Sequence, residues 1–207
     1  MTKRSTYMRL LAMAVAILML GGLCACGDKV EDPVTASREQ VAMDFLEAYY
    51  LRDYATRFSM TFYDSRQKWV DETIAYQGSE EEFFAEAQKQ ADEKGIEADI
   101  HSFDDYFAAY YKFIQQDCQA TYGDYTVTTE VTESTKMDAD TFATFCDSLL
   151  GAIDEKYIDG DALRAVTEAY TLNVHIQIDG TLKDYSESYL VHMVLHEGKW
   201  LVASHSV

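Results

Sequence analysis

The closing stretch of the chain, Val166 to Val207, constrains the fold more than any other segment. From Val166 to Ile178 the even positions read Val166, Glu168, Tyr170, Leu172, Val174, Ile176 and Ile178. The odd positions read Thr167, Ala169, Thr171, Asn173, His175 and Gln177. Successive side chains of a strand point to opposite faces, so this period of two, broken only at Glu168, describes a strand with one dry face. Asp179-Gly180 and Glu197-Gly198 are two-residue hairpin signals that divide the remainder into strands Asp184–His196 and Lys199–His205. If both turns hold two residues, position i opposes 359 − i across the first hairpin and 395 − i across the second. One face then carries Val166–Met193, Glu168–Val191, Tyr170–Tyr189, Leu172–Glu187 and Val174–Tyr185, continuing through Met193–Val202 and Leu195–Trp200. The other face carries Thr167, Thr171, Asn173, His175, Ser186, Ser188, His192, His196 and His205. Such a meander has one face that must be covered.

The cover lies upstream. Ser37 and Gln40 make a capping-box start, after which Val41, Phe45 and Tyr49 share a helical face with Ala48 and Arg52 beside it. A second helix is expected from about Tyr54 to Ala75, with Phe58, Phe62, Trp69, Val70 and Ile74 at helical spacing, broken by Gly78. Ser79 and Glu82 cap a third, more polar helix that runs to Lys94 and closes at Gly95. Ser102 opens a fourth, with Phe103, Phe107, Tyr110, Ile114 and Cys118 on one stripe. After Gly123 the period changes: Tyr125, Val127, Thr129 and Val131 alternate with Thr126, Thr128, Glu130 and Thr132, which predicts a strand. A fifth helix is expected from Asp138 to about Tyr157, followed by a turn at Asp159-Gly160. The expectation is an α+β fold, amphipathic helices packed on a C-terminal antiparallel β-meander, in one domain over 37–207. At 48% hydrophobic residues the chain can fill such a core.

The other end reads as an address. Lys3, Arg4 and Arg9 precede an uncharged apolar run from Leu10 to Leu20. Eleven residues at about 1.5 Å each span about half of a ~30 Å hydrocarbon core, which suits a secretory signal better than a membrane span. Leu23-Cys24-Ala25-Cys26 then resembles the bacterial lipoprotein signal, with a small residue just before Cys26. Cys24 follows Leu23, which is not small, so Cys26 is preferred. The resemblance implies cleavage before Cys26, leaving residues 1–25 as signal peptide, and a diacylglyceryl thioether on Cys26. Two or more acyl chains anchor stably where one is marginal. The alternative is a plain signal peptide and an unanchored secreted protein. Residues 26–36, which hold the chain's one proline, Pro33, read as a polar tether. The expected location is the extracytoplasmic face of a cell membrane.

Charge removes other classes. The chain carries 36 acidic and 17 basic residues, and the three basic residues named above lie in the expected signal peptide. What remains is still more acidic, which argues against nucleic acid and against docking on anionic lipid through a basic patch. The expected partners are the membrane, through lipid on Cys26, and an unknown small ligand or cell-envelope protein.

Helices followed by long antiparallel strands, ending in His196-Glu197-Gly198-Lys199-Trp200-Leu201-Val202, resemble the NTF2-like superfamily of cone-shaped α+β domains. In enzymes of that superfamily an Asp or His in the cone acts as a base. Here the polar residues of the dry face are Glu168 and Glu187, flanking Tyr170 and Tyr189 with Tyr185 nearby; these five are the candidate cavity lining. In the expected register the two carboxylates stand about 13 Å apart, beyond the roughly 5–9.5 Å of a paired-carboxylate hydrolase. The leading reading is a non-catalytic ligand- or partner-binding domain. The alternatives are an enzyme with a single cavity carboxylate as general base, and a structural envelope protein.

Other constellations have bland readings. His192 and His205 are expected as diagonal neighbours on the polar face, without a third metal ligand. Cys118 and Cys146 sit on apolar stripes, as a disulfide worth about 3 kcal/mol or as two buried thiols. Ser79-Glu80-Glu81-Glu82 and the Asp154–Asp161 cluster lack the order of a calcium loop. The chain has no P-loop, dinucleotide fingerprint, Gly-x-Ser-x-Gly or His-Glu-x-x-His, so no cofactor, metal site or catalytic set is expected.

Overall fold

The computed structural model describes residues 36–207. The signal, Cys26 and most of the tether lie outside the described residues. Ala36, expected in the tether, is already buried in the core. Among the described residues five helices come first: α1 (Arg38–Tyr50), α2 (Tyr54–Ser59), α3 (Ser65–Gln77), α4 (Glu80–Glu93) and α5 (Phe103–Tyr122). Then follow β1 (Tyr125–Lys136), α6 (Ala139–Ala152), α7 (Gly160–Arg164), β2 (Ala169–Gly180), β3 (Tyr185–His196) and β4 (Lys199–Ser206). The four strands form one antiparallel sheet in chain order, so the fold is α+β.

The expected helix starts are present. The side chains of Ser37, Ser79, Ser102 and Asp138 accept from the backbone N–H three residues on, satisfying a donor that the helix leaves free. Gly78, Gly95 and Gly123 take φ of 101°, 68° and 75°, a region closed to most side chains.

The expected helix from Tyr54 to Ala75 is instead two. The chain leaves α2 so that Met60–Phe62 can lie along β4: Val202 donates to the Met60 carbonyl at 2.8 Å, and Phe62 donates to the Val202 carbonyl at 2.9 Å. An exposed strand edge is thereby covered, a tertiary gain that outweighs helical spacing. The helix expected to reach Tyr157 ends at Ala152. A continued helix would place Tyr157 and Ile158 about 100° apart, yet both are buried once the chain leaves it. Asp159 caps α7 rather than turning the chain.

The first hairpin also differs from expectation. Asp179 and Gly180 belong to β2, and the loop is Thr181–Asp184. Partners run Ala169↔Val194 to Ile178↔Tyr185, four positions from the expected register. The loop is tied to the α5–β1 junction: Leu182 donates to the Tyr122 carbonyl, and Thr181 to the Asp124 carbonyl, both at 2.9 Å. A slip of four is even, so the side chains within β2 and β3 keep their expected faces; Val166, expected on the dry face, precedes β2 and packs with the cluster on the other side. The second hairpin turns at Glu197-Gly198 with φ of 51° and 78°, and the pairs Leu195–Trp200 and Met193–Val202 stand as read. Beyond them a bulge inserts Ala203, because His192 pairs with Ser204 while Met193 pairs with Val202.

Helix α1 covers the apolar face. Val41, Ala42, Phe45 and Leu46 pack on Leu172, Val174, Ile176, Val191, Met193 and Val202, all at most 4% exposed. Each large side chain of this layer contributes about 1.5–3 kcal/mol by leaving water. Part of the opposite face is covered as well. Cys146 and Leu149 of α6 and Leu163 of α7 pack on Ala169, Val194 and Ala203. Helices α2 to α5 share a hydrophobic core of Tyr54, Val70, Phe83, Phe103 and Phe107.

Candidate functional site

Three of the five candidate cavity residues come together where α1 ends over the sheet. Glu187 is half-buried opposite Ile176, and Tyr185 and Tyr189 flank it along β3. The hydroxyls of both tyrosines donate to the same oxygen, Glu187 Oε2, that of Tyr189 at 3.3 Å. The neighbouring carboxylate, with burial, holds the Tyr185 phenol above its ordinary value. Tyr50 tilts against Tyr185 at 5.5 Å between ring centroids and shares a 2.5 Å hydroxyl–hydroxyl hydrogen bond with Tyr122. Burial and then this hydrogen bond raise its phenol.

The other two lie apart. Tyr170 stacks edge-on against Trp200 at 5.7 Å, with the Arg38 guanidinium 3.9 Å from its ring centroid. Glu168 precedes β2, is 40% exposed, and faces Lys136 Nζ at 3.8 Å. The expected pairing of Glu168 with Val191 is replaced by Leu172↔Val191. The candidate carboxylates therefore do not share one chamber, and Glu187 alone stands among tyrosines.

The bulge at Ala203 moves His205. Expected beside His192 on the polar face, it pairs with Val191 and turns under α1, 5.1 Å from the Phe45 ring and 4.4 Å from the Tyr49 ring. Burial, then Arg57 and Arg52, push its imidazole down to about 4. His192 stays on the opposite face, hydrogen-bonded to Ser204 Oγ at 2.8 Å and 4.9 Å from the Phe145 ring. Burial lowers its pKa as well. The described residues contain no group of three or more His, Cys, Asp or Glu placed to hold a metal ion. In the acidic stretches, Ser79 caps α4, Asp154 accepts from the Lys156 N–H at 3.0 Å, and Asp159 caps α7.

Cys118 and Cys146 are free thiols in different parts of the core. Cys118 packs with Tyr122 and Ile178 on the face under α1, and Cys146 with Ala169 and Val194 on the other. Ile178 and Ala169 lie nine positions apart along β2, about 30 Å, whereas a disulfide needs Cα atoms about 4.4–6.8 Å apart. The fold does not bring the two thiols together. Burial raises both.

A concavity lies between α4 and α5, where the sequence shows only helical stripes. It has a volume of about 160 Å³ and is walled by Ala87 and Ala91 of α4, Ile96 and Ile100 of the following loop, and Tyr106 and Ala109 of α5. The signal available in the sequence is the spacing of small residues, Ala87 and Ala91 one helical turn apart, where larger apolar residues would close the space. None of the described helices is long and apolar enough to cross a membrane. No known protein family, curated protein or solved structure matches this chain.

Proposed function

We propose that this chain is a lipoprotein held at the extracytoplasmic face of a cell membrane by acyl chains on Cys26, and that its domain, of NTF2-like type, binds a small ligand rather than catalysing a reaction. The anchor rests on Leu23-Cys24-Ala25-Cys26 behind a short apolar run. The NTF2-like assignment draws on the order of elements, helices before an antiparallel sheet, and on the Glu197-Gly198 turn ahead of Trp200.

The observation that carries the binding reading is the apolar concavity between α4 and α5, a preformed space among fixed helices. The single-carboxylate enzyme has weaker support. Glu187 Oε2 already accepts from two phenols, and α1 fills much of the apolar face with side chains. Native mass spectrometry of the protein extracted from its own host's membranes tests the reading. It predicts a lipid-modified chain beginning at Cys26 with a small molecule that co-purifies. An unmodified chain that still begins at Met1, with nothing bound, contradicts it.

A further inference from the structure

We propose that the pocket between α4 and α5 takes a neutral molecule built on a single aromatic ring, about the size of phenol. This rests on the binding reading above and adds the chemical class of the ligand. The size follows from the volume, about 160 Å³; an apolar cavity of roughly 150 Å³ holds benzene. A flexible chain of equal mass loses more rotational freedom on entering, so a rigid ring is favoured.

The walls are built to keep their shape. Gly95, at φ 68°, reverses the chain after α4 and lays Ile96 and Ile100 across the pocket. That loop has no regular structure, yet the Gln88 amide clamps it from both sides. Gln88 Nε2 donates to the Ala98 carbonyl at 3.1 Å, and the Ile100 N–H donates to Gln88 Oε1 at 2.9 Å. Ala87, Ala91 and Ala109 supply the space, each at most 8% exposed. Tyr106, Tyr110 and Phe113 form an aromatic wall: Tyr106 and Tyr110 stack at 5.5 Å, and Tyr110 and Phe113 lie 5.9 Å apart. Ring ligands pack edge-on or offset against such surfaces.

Charge selects a neutral ligand. Glu93 and Lys94 both line the pocket, one charge of each sign, so its walls carry no net charge to draw in an ion. A cation finds its place taken, because Lys94 Nζ already lies 5.2 Å from the Phe113 ring centroid. Gln90, also at the mouth, commits its Nε2 to Glu86 Oε1 at 3.0 Å, which leaves its carbonyl oxygen to accept one O–H or N–H from the ligand.

The test uses the full chain in lipid nanodiscs with 13C-labelled Ala and Ile methyl groups. Phenol, hexan-1-ol with the same number of heavy atoms, and benzoate are titrated separately. The expected result is saturable movement of the Ala91, Ile96 and Ile100 methyl signals by phenol, with hexan-1-ol and benzoate at least about tenfold weaker. Ala91→Leu and, from the other wall, Ala109→Leu fill the space and abolish the phenol response. An unmoved Ile176 methyl signal shows that the sheet core is intact in each variant. Hexan-1-ol binding as tightly as phenol overturns the ring class and leaves the binding reading standing. Benzoate binding more tightly overturns the neutral class alone. No movement with any of the three overturns this proposal and removes the observation on which the binding reading rests.

Discussion

Replacing His205 by phenylalanine should make the protein more resistant to acid, by an amount the structure sets. The imidazole is packed against Phe45 and Tyr49, with Arg52 and Arg57 nearby, and its pKa is pushed down to about 4 from an ordinary value of 6.5. The unfolded chain takes up this proton near pH 6.5, whereas the folded chain resists it until about pH 4. Between those values the unfolded state binds more protons, so stability falls as pH falls, by about 1.4 kcal/mol per pH unit for this one group. The loss begins near pH 6.5, is complete near pH 4, and amounts to about 3 kcal/mol. Phenylalanine keeps the ring contacts and removes the titration. Carboxylates also titrate in this range, so the quantity to follow is the difference in unfolding free energy between H205F and the natural chain. Urea unfolding at pH 7.5, 6.5, 5.5 and 4.5 should show that difference growing in favour of the variant below pH 6.5, approaching 3 kcal/mol at the lowest pH. A difference independent of pH refutes the placement of His205 under α1, and with it the bulge at Ala203.

Three further outcomes follow from the same structure. Thiol titration of the unfolded 36–207 chain without reductant should count two free thiols, from Cys118 and Cys146; none would mean a disulfide and a different packing of α5 and α6. Gly180→Ala should destabilise by about 1–3 kcal/mol, because its Cβ would stand 2.5 Å from the carbonyl oxygens of Lys183 and Tyr122. An unchanged urea midpoint for that variant would contradict the four-residue loop. Glu187→Gln should bring the Tyr185 phenol back down toward its ordinary value, since the carboxylate is the main cause of its rise. Ultraviolet titration of the tyrosines reads this, and an unaltered curve would separate Glu187 from Tyr185.

The features legible in the sequence are those set by local geometry. The caps at Ser37, Ser79, Ser102 and Asp138 need only a short polar side chain three residues ahead of a free N–H, and each is found where it was expected. The strand faces were legible because a period of two survives any even slip, so Tyr170, Leu172 and Val174 keep their side of the sheet although their partners differ. Features that depend on distant parts of the chain were not legible. The break at Met60 exists because β4 needs a neighbour. The first hairpin closes on the α5–β1 junction rather than on Asp179-Gly180. A single inserted residue, Ala203, carries no pattern of its own, yet it moves His205 from one face to the other. In the candidate site, the grouping of Tyr185, Glu187 and Tyr189 was visible from their alternation along one strand. The separation of Glu168 from them depends on a register no local signal sets. The alanine-walled pocket was hidden because facing small residues become a cavity only when two helices meet.

The membrane location that frames the proposed function stands on the modification of one residue in the N-terminal motif. Growth of the host with an alkyne-tagged fatty acid, followed by capture of the protein, measures it directly. The natural chain and a Cys24→Ser variant should both carry the tag, and Cys26→Ser should lose both the tag and the membrane fraction. A natural chain that takes up no label while its export proceeds, or a Cys26→Ser variant that labels as well as the natural chain, contradicts the account.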